Sequence, residues 1–346
     1  MEYLGRGVIA LHQADGNVLV EWRMLGTDPD AIAFNVYRAT GGGNPVKLNA
    51  RPIGDATDFI DSKADFTKSN SYFVRPVLNN KELESSGRFT LDPGSPAGQY
   101  ISIPLKTPAG YSPNDASVGD LDGDGEYEIV LHQTGVGRDN SQAGITTEPI
   151  LEAYKLDGTF LWRINLGKNI REGAHYTQFL VYDLDGDGRA EVVCKTADGT
   201  FDGKGKVIGD PKADYRSPEG SFVVTRDRSG NERKQGTTGY VLAGPEYLTV
   251  FDGLTGAALA TTNYLPPRHP ATLNPTADEL REIWGDGWGN RVDRFLACIA
   301  YLDGKRPSLV MCRGYYTRSV LTAWNWRDGK LTHRWTFDSD DGNPTN

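Results

Sequence analysis

An acidic nine-residue loop occurs twice in this chain and strongly limits what the chain can fold into. The first copy runs from Asp120 to Glu128, and the second begins 63 residues later (183 minus 120) and ends at Glu191. Each copy gathers at least four carboxylates, which repel one another unless a cation lies among them. A run of apolar residues follows each copy and predicts a strand. The repeat therefore indicates two equivalent metal-binding turns in a β-protein.

The order of the acidic residues favours calcium, a hard cation that takes about six to eight oxygen ligands. Aspartates occupy positions one, three and five of each loop, and an acidic residue occupies position nine. We predict Ca²⁺ ligands at Asp120, Asp122, Asp124, the Glu126 carbonyl and Glu128, and at Asp183, Asp185, Asp187, the Arg189 carbonyl and Glu191. Asp115 is either a further ligand of the first ion or an ordinary strand residue. A third cluster, Asp286, Asn290 and Asp293, either holds another ion or caps turns and forms ion pairs.

The first part of the chain predicts a small β-sandwich. Apolar and polar residues alternate in segments 16–22, 33–38 and 71–77, with turn residues between them. The strand that ends at Trp22, followed by one that contains Tyr37, resembles a fibronectin type III module. We assign residues 1–98 to this sandwich and its Pro/Gly linker (92–98), and residues 99–346 to a second domain.

The second domain contains three irregular repeats. Each opens with an acidic turn that leads into an apolar strand, at Asp120, Asp183 and Tyr301, and closes with a strand–turn–strand pattern. Four short strands per unit predict the blades of a partial β-propeller, with long insertions at 196–240 and 264–290. Rings need at least about four blades. We therefore expect further blades in a longer chain, beyond Asn346, or in a partner chain.

Charge and composition narrow the class further. The formal net charge of −9 argues against a nucleic-acid partner, which would require a basic face. The 41 glycines and 19 prolines fit short strands and tight turns in an all-β fold. No apolar run of about 18 residues occurs, so we expect no membrane partner. The calcium loops suggest a secreted, periplasmic or cell-surface protein whose signal peptide is absent from this sequence.

Several longer motifs carry a family resemblance. They are Gly167-Lys-Asn-Ile-Arg-Glu-Gly-Ala-His-Tyr-Thr-Gln-Phe179, Lys195-Thr-Ala-Asp-Gly-Thr200, Gly244-Pro-Glu-Tyr-Leu-Thr-Val-Phe251 and Arg313-Gly-Tyr-Tyr-Thr-Arg318. Together with the acidic loops they resemble polysaccharide lyase family 11, the rhamnogalacturonan lyases, over nearly the whole chain. The resemblance implies an eight-bladed propeller with calcium in many blades. It also implies cleavage of the rhamnose–galacturonate backbone of pectin, the expected polysaccharide partner, by calcium-assisted β-elimination.

The implied chemistry selects candidate residues. Elimination removes the proton at C5 of a galacturonate, so a cation or an Arg fork must stabilise the charge that develops on the carboxylate, and a base must take the proton. Base candidates are His175, with its neighbour Tyr176, and Lys195. Candidate substrate contacts are Asn114, Arg313, Tyr315, Tyr316 and Arg318, although strand alternation predicts that Tyr315 or Tyr316 points into the core. The identity of the base and the choice between endo and exo cleavage stay open.

Two other functions remain open at this point. A non-catalytic, calcium-stabilised carbohydrate-binding or adhesion propeller would carry the same acidic loops. A quinone-dependent propeller dehydrogenase is suggested by the Asp157-Gly-Thr-Phe-Leu-Trp162 turn. The insertions that contain His175, Lys195 and Arg313 favour the lyase.

Overall fold

The computed structural model describes residues 3–226 and 229–341, so the predicted start of a fourth repeat at residues 342–346 lies outside it. The described chain forms two compact units. One comprises Tyr3–Pro104 together with Gly123–Tyr127, and the other comprises Leu105–Asp122 and the residues from Glu128 onward. The predicted boundary at residue 98 stays a prediction. No helix in the described residues is long and apolar enough to cross a bilayer.

The smaller unit is a β-sandwich. One sheet has the order β1-β2-β5, and the other has the order β4-β3-β6-β7, with β8 also paired to β6. Its strands are β1 (Ile9–His12), β2 (Val18–Glu21), β3 (Ala33–Thr40), β4 (Val46–Lys47), β5 (Asp58–Asp61), β6 (Asn70–Leu78), β7 (Lys81–Glu82) and β8 (Phe89–Leu91). Alternate residues of these strands are apolar, so one face of each sheet buries Val20, Phe34 and Val74 in a common core.

The described part of the larger unit contains three antiparallel sheets of four or more strands, one two-stranded hairpin and one α-helix. The strands are β9 (Ser112–Gly119), β10 (Glu128–Thr134), β11 (Ile150–Tyr154), β12 (Phe160–Asn165), β13 (Phe179–Tyr182), β14 (Glu191–Ala197), β15 (Thr200–Phe201), β16 (Val207–Ile208), β17 (Phe222–Arg226), β18 (Glu232–Gly236), β19 (Glu246–Phe251), β20 (Ala258–Asn263), β21 (Phe295–Ala300), β22 (Ser308–Arg313), β23 (Val320–Arg327) and β24 (Lys330–Asp338).

The sheets follow the repeats of the sequence. Their orders are β9-β10-β11-β12, extended at its edge by β15-β16, then β13-β14-β19-β20, and β21-β22-β23-β24. The middle sheet is covered on both faces, because successive residues of β14 point to opposite sides. Val192 packs into the core shared with the first sheet, and Val193 packs into the core shared with the third. All-β architecture with almost no helix is thus confirmed.

The one helix of the described residues, α1 (Ala277–Trp284), lies in the insertion between β20 and β21. Thr276 caps its first turn, and the Glu279 side chain returns the contact in a capping box. Gly285 ends it with a φ of 83°, a conformation that favours glycine. Leu280 and Trp284 pack with Val320 in a small core, which fixes the helix against the third sheet.

The antiparallel order separates two ends of this unit. The turns that begin at Asp120, Asp183 and Tyr301 all connect the first and second strands of a sheet, and we call this the acidic end. The segments that follow β10, β12, β14, β20 and β22 emerge at the other end of the strands, which we call the insertion end. A hydrogen bond of 2.7 Å from Ala190 N to Asp120 O joins the first two acidic turns. Carboxylate-rich loops and long insertions therefore occupy opposite ends.

Candidate active site and metal loops

The first acidic loop brings three carboxylates together at the start of β10. Carboxylate oxygens of Asp120, Asp122 and Glu128 lie within 4.8 Å of one another, and Asp120 and Glu128 are buried. The backbone N–H of Leu121 donates to Glu128 at 2.8 Å and orients it. Lys155, the first residue after β11, forms ion pairs with Asp122 and, at 3.6 Å, with Glu128. An ammonium group thus already offsets part of the negative charge here.

The second acidic loop repeats this geometry with Asp183, Asp185 and Glu191, whose carboxylate oxygens also lie within 4.8 Å of one another. Asp183 accepts hydrogen bonds from the N–H groups of Gly186 at 2.6 Å and Gly188 at 3.1 Å, so the turn folds around it. Burial, together with the neighbouring carboxylates, raises the pKa of Glu191 to about 8. The residue after the third strand of this sheet is Asp252, so no lysine matches Lys155 there.

Both loops could hold a metal ion. Three hard oxygen donors converge in each, two of them buried, which matches the preference of Ca²⁺ for carboxylates in a flexible oxygen cage. For Asp115 the structure favours the second alternative, an ordinary strand residue. Asp115 is an exposed residue of β9, five residues before Asp120, and an extended strand of that length spans about 16 Å.

At the insertion end, hydrogen bonds hold segments from different sheets together. Tyr240 donates to the carbonyl of Asn140 at 2.7 Å, and Asn169 donates to the carbonyl of Asp198 at 2.8 Å. The Arg171 guanidinium lies 4.1 Å from the centre of the Tyr240 ring. A buried pair, His132 and Glu172 at 3.2 Å, joins β10 to the segment between β12 and β13. These contacts give the insertion end a fixed surface.

A half-buried cluster on this surface combines an imidazole, a carboxylate and a guanidinium. His175 Nε2 lies 3.4 Å from Asp139 Oδ2. Arg294 lies over the Tyr315 ring at 4.5 Å, and Tyr315 donates to Asn290 Oδ1 at 2.9 Å. Burial lowers the pKa of His175, Arg294 lowers it further, and Asp139 opposes both. A neutral imidazole beside a guanidinium can accept a proton while the guanidinium holds an anion.

Behind this cluster lies a network of five buried charges. Glu246 Oε1 accepts from Lys195 Nζ at 3.0 Å, from Arg268 Nη2 at 3.0 Å and from Arg313. Asp293 lies 3.6 Å from Arg268 and 3.8 Å from Arg313. Arg313 also donates to the carbonyls of Val292 at 3.1 Å and Pro266 at 2.7 Å. Three cations around two carboxylates tie β14, β19 and β22 to the insertion that contains α1.

Comparison with protein families decides the relationship. A model described as rhamnogalacturonan lyase family 11, C-terminal domain, matches residues 100–346, and a model described as rhamnogalacturonan I lyases beta-sheet domain matches residues 1–91. The chain belongs to rhamnogalacturonan lyase family 11. The resemblance drawn from the sequence motifs is confirmed, and the boundary between the two matches falls in the segment before Leu105, where the larger unit begins.

Family members with names and structures match along the whole chain. Rhamnogalacturonan endolyase YesW and rhamnogalacturonan exolyase YesX of Bacillus subtilis (strain 168) are 50% and 49% identical to it over alignments 350 residues long. These alignments cover 98% of this chain and 50% of each relative. The crystal structure of YesW superposes with a TM-score of 0.83 at 50% identity, covering 98% of this chain and 53% of that one. Rhamnogalacturonan lyase PL11 of Bacillus licheniformis gives 0.83 at 52% identity, covering 99% and 53%.

This chain spans about half the length of the curated relatives that it matches. The endolyase and the exolyase are almost equally similar to it, so overall similarity assigns neither mode of cleavage to this member of family 11.

The residues predicted to contact the substrate or to act as the base differ widely in their exposure to solvent. Arg313 is fully buried and Lys195 nearly so, and both are held by Glu246, so neither faces a substrate. The predictions of Arg313 as a substrate contact and of Lys195 as the base are therefore wrong. The sequence did not reveal Glu246 and Asp293, the carboxylates with which these cations are buried. Tyr176 is also buried, and Arg171 donates to its hydroxyl. His175 keeps a half-buried position at the surface.

The remaining predicted contacts lie outside the buried network. Tyr316 is 84% exposed and Tyr315 is half-buried, so neither points into the core. The alternation argument failed because β22 ends at Arg313 and Tyr316 has a φ of 65° in a turn. Arg318 pairs with Asp338 at 3.0 Å. Asn114 is exposed in β9.

The possible third ion site is taken up by other contacts. Asp286 accepts from the N–H groups of Trp288, Gly289 and Arg291 at 3.0, 3.0 and 2.8 Å. Asn290 accepts from Tyr315, and Asp293 belongs to the buried network. The three residues serve separate contacts, and the turn-capping alternative is the one that the structure favours.

Sequence reasoning missed Asp139, Arg294, Glu246 and Arg268. Glu246 lies in one of the family motifs and Arg268 in an insertion, but their ion pair joins residues far apart in the chain and so leaves no local pattern in the sequence. Asp139 follows Gly137 and Arg138 in a polar loop, and Arg294 precedes the apolar strand β21. A search for charged residues at strand ends would have found Glu246 and Arg294, since insertions begin and end there.

Proposed function

We propose that this chain supplies part of the substrate-binding and catalytic surface of an enzyme that cleaves the rhamnose–galacturonate backbone of pectin by β-elimination. The observation that carries this proposal is the His175–Asp139–Arg294 cluster at the insertion end, in a chain half identical to proteins named rhamnogalacturonan endolyase and exolyase. The relatives indicate the chemistry, and the cluster contains the groups that such chemistry requires.

In the proposed reaction, the Arg294 guanidinium binds the carboxylate of a galacturonate. Negative charge that develops at C5 is delocalised into the adjacent carboxylate, where the guanidinium stabilises it. The neutral His175 imidazole takes the C5 proton, and the electron pair of that bond forms the C4–C5 double bond. The C4–O bond breaks, and the leaving oxygen receives a proton from solvent. Asp139 orients His175 and stabilises the imidazolium that forms.

We further propose that the three sheets are blades of a calcium-binding β-propeller. Each has four antiparallel strands, and the first strands β9, β13 and β21 lie next to one another in that order, as the inner strands of successive blades do. Three blades do not close a ring, so other blades would complete the cleft. The match to about half of each relative is compatible with this arrangement.

Two calcium ions would stabilise the acidic end. We assign Asp120, Asp122 and Glu128 to one ion and Asp183, Asp185 and Glu191 to the other, on their convergence within 4.8 Å. Asp124, Asp187 and the carbonyls of Glu126 and Arg189 remain predicted ligands. A bound cation would neutralise the repulsion between these carboxylates. Because the insertions emerge at the other end of the strands, these two ions act on stability, and the guanidinium binds the substrate carboxylate.

The pectic polymer is the proposed partner, and a location outside the cytoplasm follows from the size of such a substrate. A non-catalytic carbohydrate-binding propeller is not favoured, because the relatives at about 50% identity are named as lyases.

The proposal is tested with His175→Gln, which keeps a polar side chain but removes the base. We expect the initial rate of unsaturated-uronate formation from rhamnogalacturonan, followed by ultraviolet absorbance, to fall by about 10²–10⁴-fold. His333→Gln, at an exposed histidine of β24, is the matched control and should keep the rate. An unchanged rate in His175→Gln would exclude His175 as the base. The comparison is made in a protein that also carries the further blades, and an inactive parent there would contradict the lyase proposal.

A further inference from the structure

A cavity of about 780 Å³ opens at the insertion end, beside the cluster described above. One wall is the hairpin β17–β18, and the other is α1 with the loop that follows it. Neither wall belongs to one of the three large sheets, and α1 packs on the third sheet through Leu280 and Trp284. The volume lies within the range of about 300–1,000 Å³ that is typical of small-molecule sites. Two insertions from different parts of the chain thus form a space of ligand size.

The walls are held in place by the protein's own contacts. Arg281 of α1 donates to the carbonyl of Val224 in the hairpin at 3.1 Å, and this bond links the two walls directly. The capping box at Thr276 fixes the start of the helix. Asp286, which accepts three backbone N–H groups, fixes the loop that carries Trp288. A site whose walls are already ordered loses little conformational entropy when a ligand binds.

The lining of this cavity is polar but balanced in charge. It contains three acidic and three basic side chains, together with a hydroxyl, an indole ring and two amides, one of them Asn290. The other residues are Glu232, Asp278, Asp286, Arg233, Arg281, Arg291, Gln235, Thr225 and Trp288. Carboxylates accept hydrogen bonds from the hydroxyl groups of a sugar, and guanidinium groups donate hydrogen bonds to those hydroxyl groups. An indole ring packs against the apolar face of a sugar ring. The equal numbers of charges favour an uncharged, hydroxyl-rich ligand over a polyanion.

The cavity adjoins the proposed catalytic cluster through one residue. Asn290 lines the cavity, and its Oδ1 accepts the hydrogen bond from Tyr315. The Tyr315 ring in turn lies under the Arg294 guanidinium. A polymer whose uronate is held at Arg294 would therefore have its neighbouring sugars close to the cavity.

We propose that this cavity is an accessory subsite for a neutral saccharide segment of the polymer. This inference rests on the proposed function for its choice of polymer. The equal numbers of acidic and basic side chains in the lining, and the ordered walls of the cavity, are the reasons for proposing a neutral sugar. The subsite would hold uncharged sugar residues next to the acidic residue that undergoes elimination, and so would raise affinity for branched or longer substrates.

The test uses a cavity-filling variant, Thr225→Trp, on the half-buried face of β17. Lys234→Trp, on exposed β18 and outside the lining, adds the same side chain to the same hairpin as a matched control. Gln235→Leu removes the amide without adding bulk and replaces Thr225→Trp if that variant does not fold. Binding is measured by saturation-transfer NMR and calorimetry with neutral galacto-, rhamno- and arabino-tetrasaccharides and with tetragalacturonate.

We expect at least one neutral tetrasaccharide to bind, with affinity lowered about tenfold or more in Thr225→Trp or Gln235→Leu and unchanged in Lys234→Trp. The proposal is overturned if no neutral tetrasaccharide binds, if filling the cavity has no effect, or if only tetragalacturonate responds to Thr225→Trp. His175→Gln should retain the neutral-sugar binding. An unchanged lyase rate in His175→Gln with intact neutral-sugar binding would count against the proposed base alone. Absent neutral-sugar binding in a protein whose lyase activity is lost in His175→Gln would count against the subsite alone.

Discussion

The acidic end and the insertion end of the larger unit handle charge in opposite ways. At the acidic end, each loop gathers three carboxylates whose oxygens lie within 4.8 Å of one another. At the insertion end, the buried carboxylates Glu246 and Asp293 are surrounded by three cations. We therefore expect an added cation to stabilise the acidic end, whereas cationic side chains of the protein itself surround the buried carboxylates of the insertion end.

We therefore expect the acidic end to affect stability and the insertion end to affect the reaction. An ion at the acidic end would stabilise the turns between the first and second strands of each sheet without reaching the insertions. The compensated network at the other end forms a rigid base for half-buried groups such as His175 and Arg294, which remain available to a substrate. The same kind of substitution should therefore have opposite effects at the two ends.

The largest effect on stability is expected from Glu246→Gln at the insertion end. Removing this carboxylate leaves Lys195, Arg268 and Arg313 buried with only Asp293 nearby, and a broken buried ion pair costs about 3–5 kcal/mol. Chemical denaturation of the protein measures the loss. Glu282→Gln, at an exposed position of α1, is the control and should change stability by less than about 0.5 kcal/mol. Equal effects of the two substitutions would show that the network is not a stabilising unit.

Glu191→Gln at the acidic end should act in the opposite direction. Without calcium, removing one of three converging carboxylates relieves repulsion, and we expect a gain of about 1 kcal/mol. With calcium, the variant should gain less than the parent protein, because a ligand is lost. Thermal melts with calcium and with a chelator measure both changes. A loss of stability in chelator, as for Glu246→Gln, would remove the distinction between the two ends.

Lys155→Gln sharpens the comparison within the acidic end. The Lys155 ammonium pairs with Asp122 and Glu128, so a calcium ion must displace it from the first loop, whereas the second loop has Asp252 at that position. We expect the affinity of the first site to rise about tenfold, equivalent to about 1.4 kcal/mol, with the second site unchanged. Calorimetric titration with calcium resolves the two sites. Lys330→Gln, an exposed lysine of β24, should leave both affinities as they are.

The smallest effects concern the protonation of His175. Arg294 lowers the pKa of this histidine and Asp139 raises it. Arg294→Gln should therefore raise the pKa of His175, so that the imidazole keeps its proton to higher pH. The acidic limb of the plot of rate against pH then shifts to higher pH. Asp139→Asn should lower the pKa of His175 and shift the acidic limb to lower pH. The imidazole C–H resonance of His175, followed against pH by NMR, measures the change, and shifts of the same sign in both variants would contradict the arrangement.

Features that depend on residues close together in the chain could be predicted from the sequence. The all-β class follows from alternation in segments such as Val18–Glu21, since each strand carries its own pattern of burial. The acidic loops were equally visible, because Asp183, Asp185 and Glu191 converge within one nine-residue turn. The family resemblance was visible for the same reason, since its motifs are continuous stretches of chain.

Only the tertiary structure decided which charged residues meet. Asp139 and His175 are 36 residues apart (175 minus 139), and Glu246 and Arg313 are 67 apart (313 minus 246). Their contacts depend on the packing of separate insertions, which has no periodic signal in the sequence. For this reason Lys195 and Arg313 looked like exposed candidates until their buried partners were seen. The sequence by itself determined the strands and the acidic turns, because those are local, and the packed sheets determined the site, because burial and pairing are not.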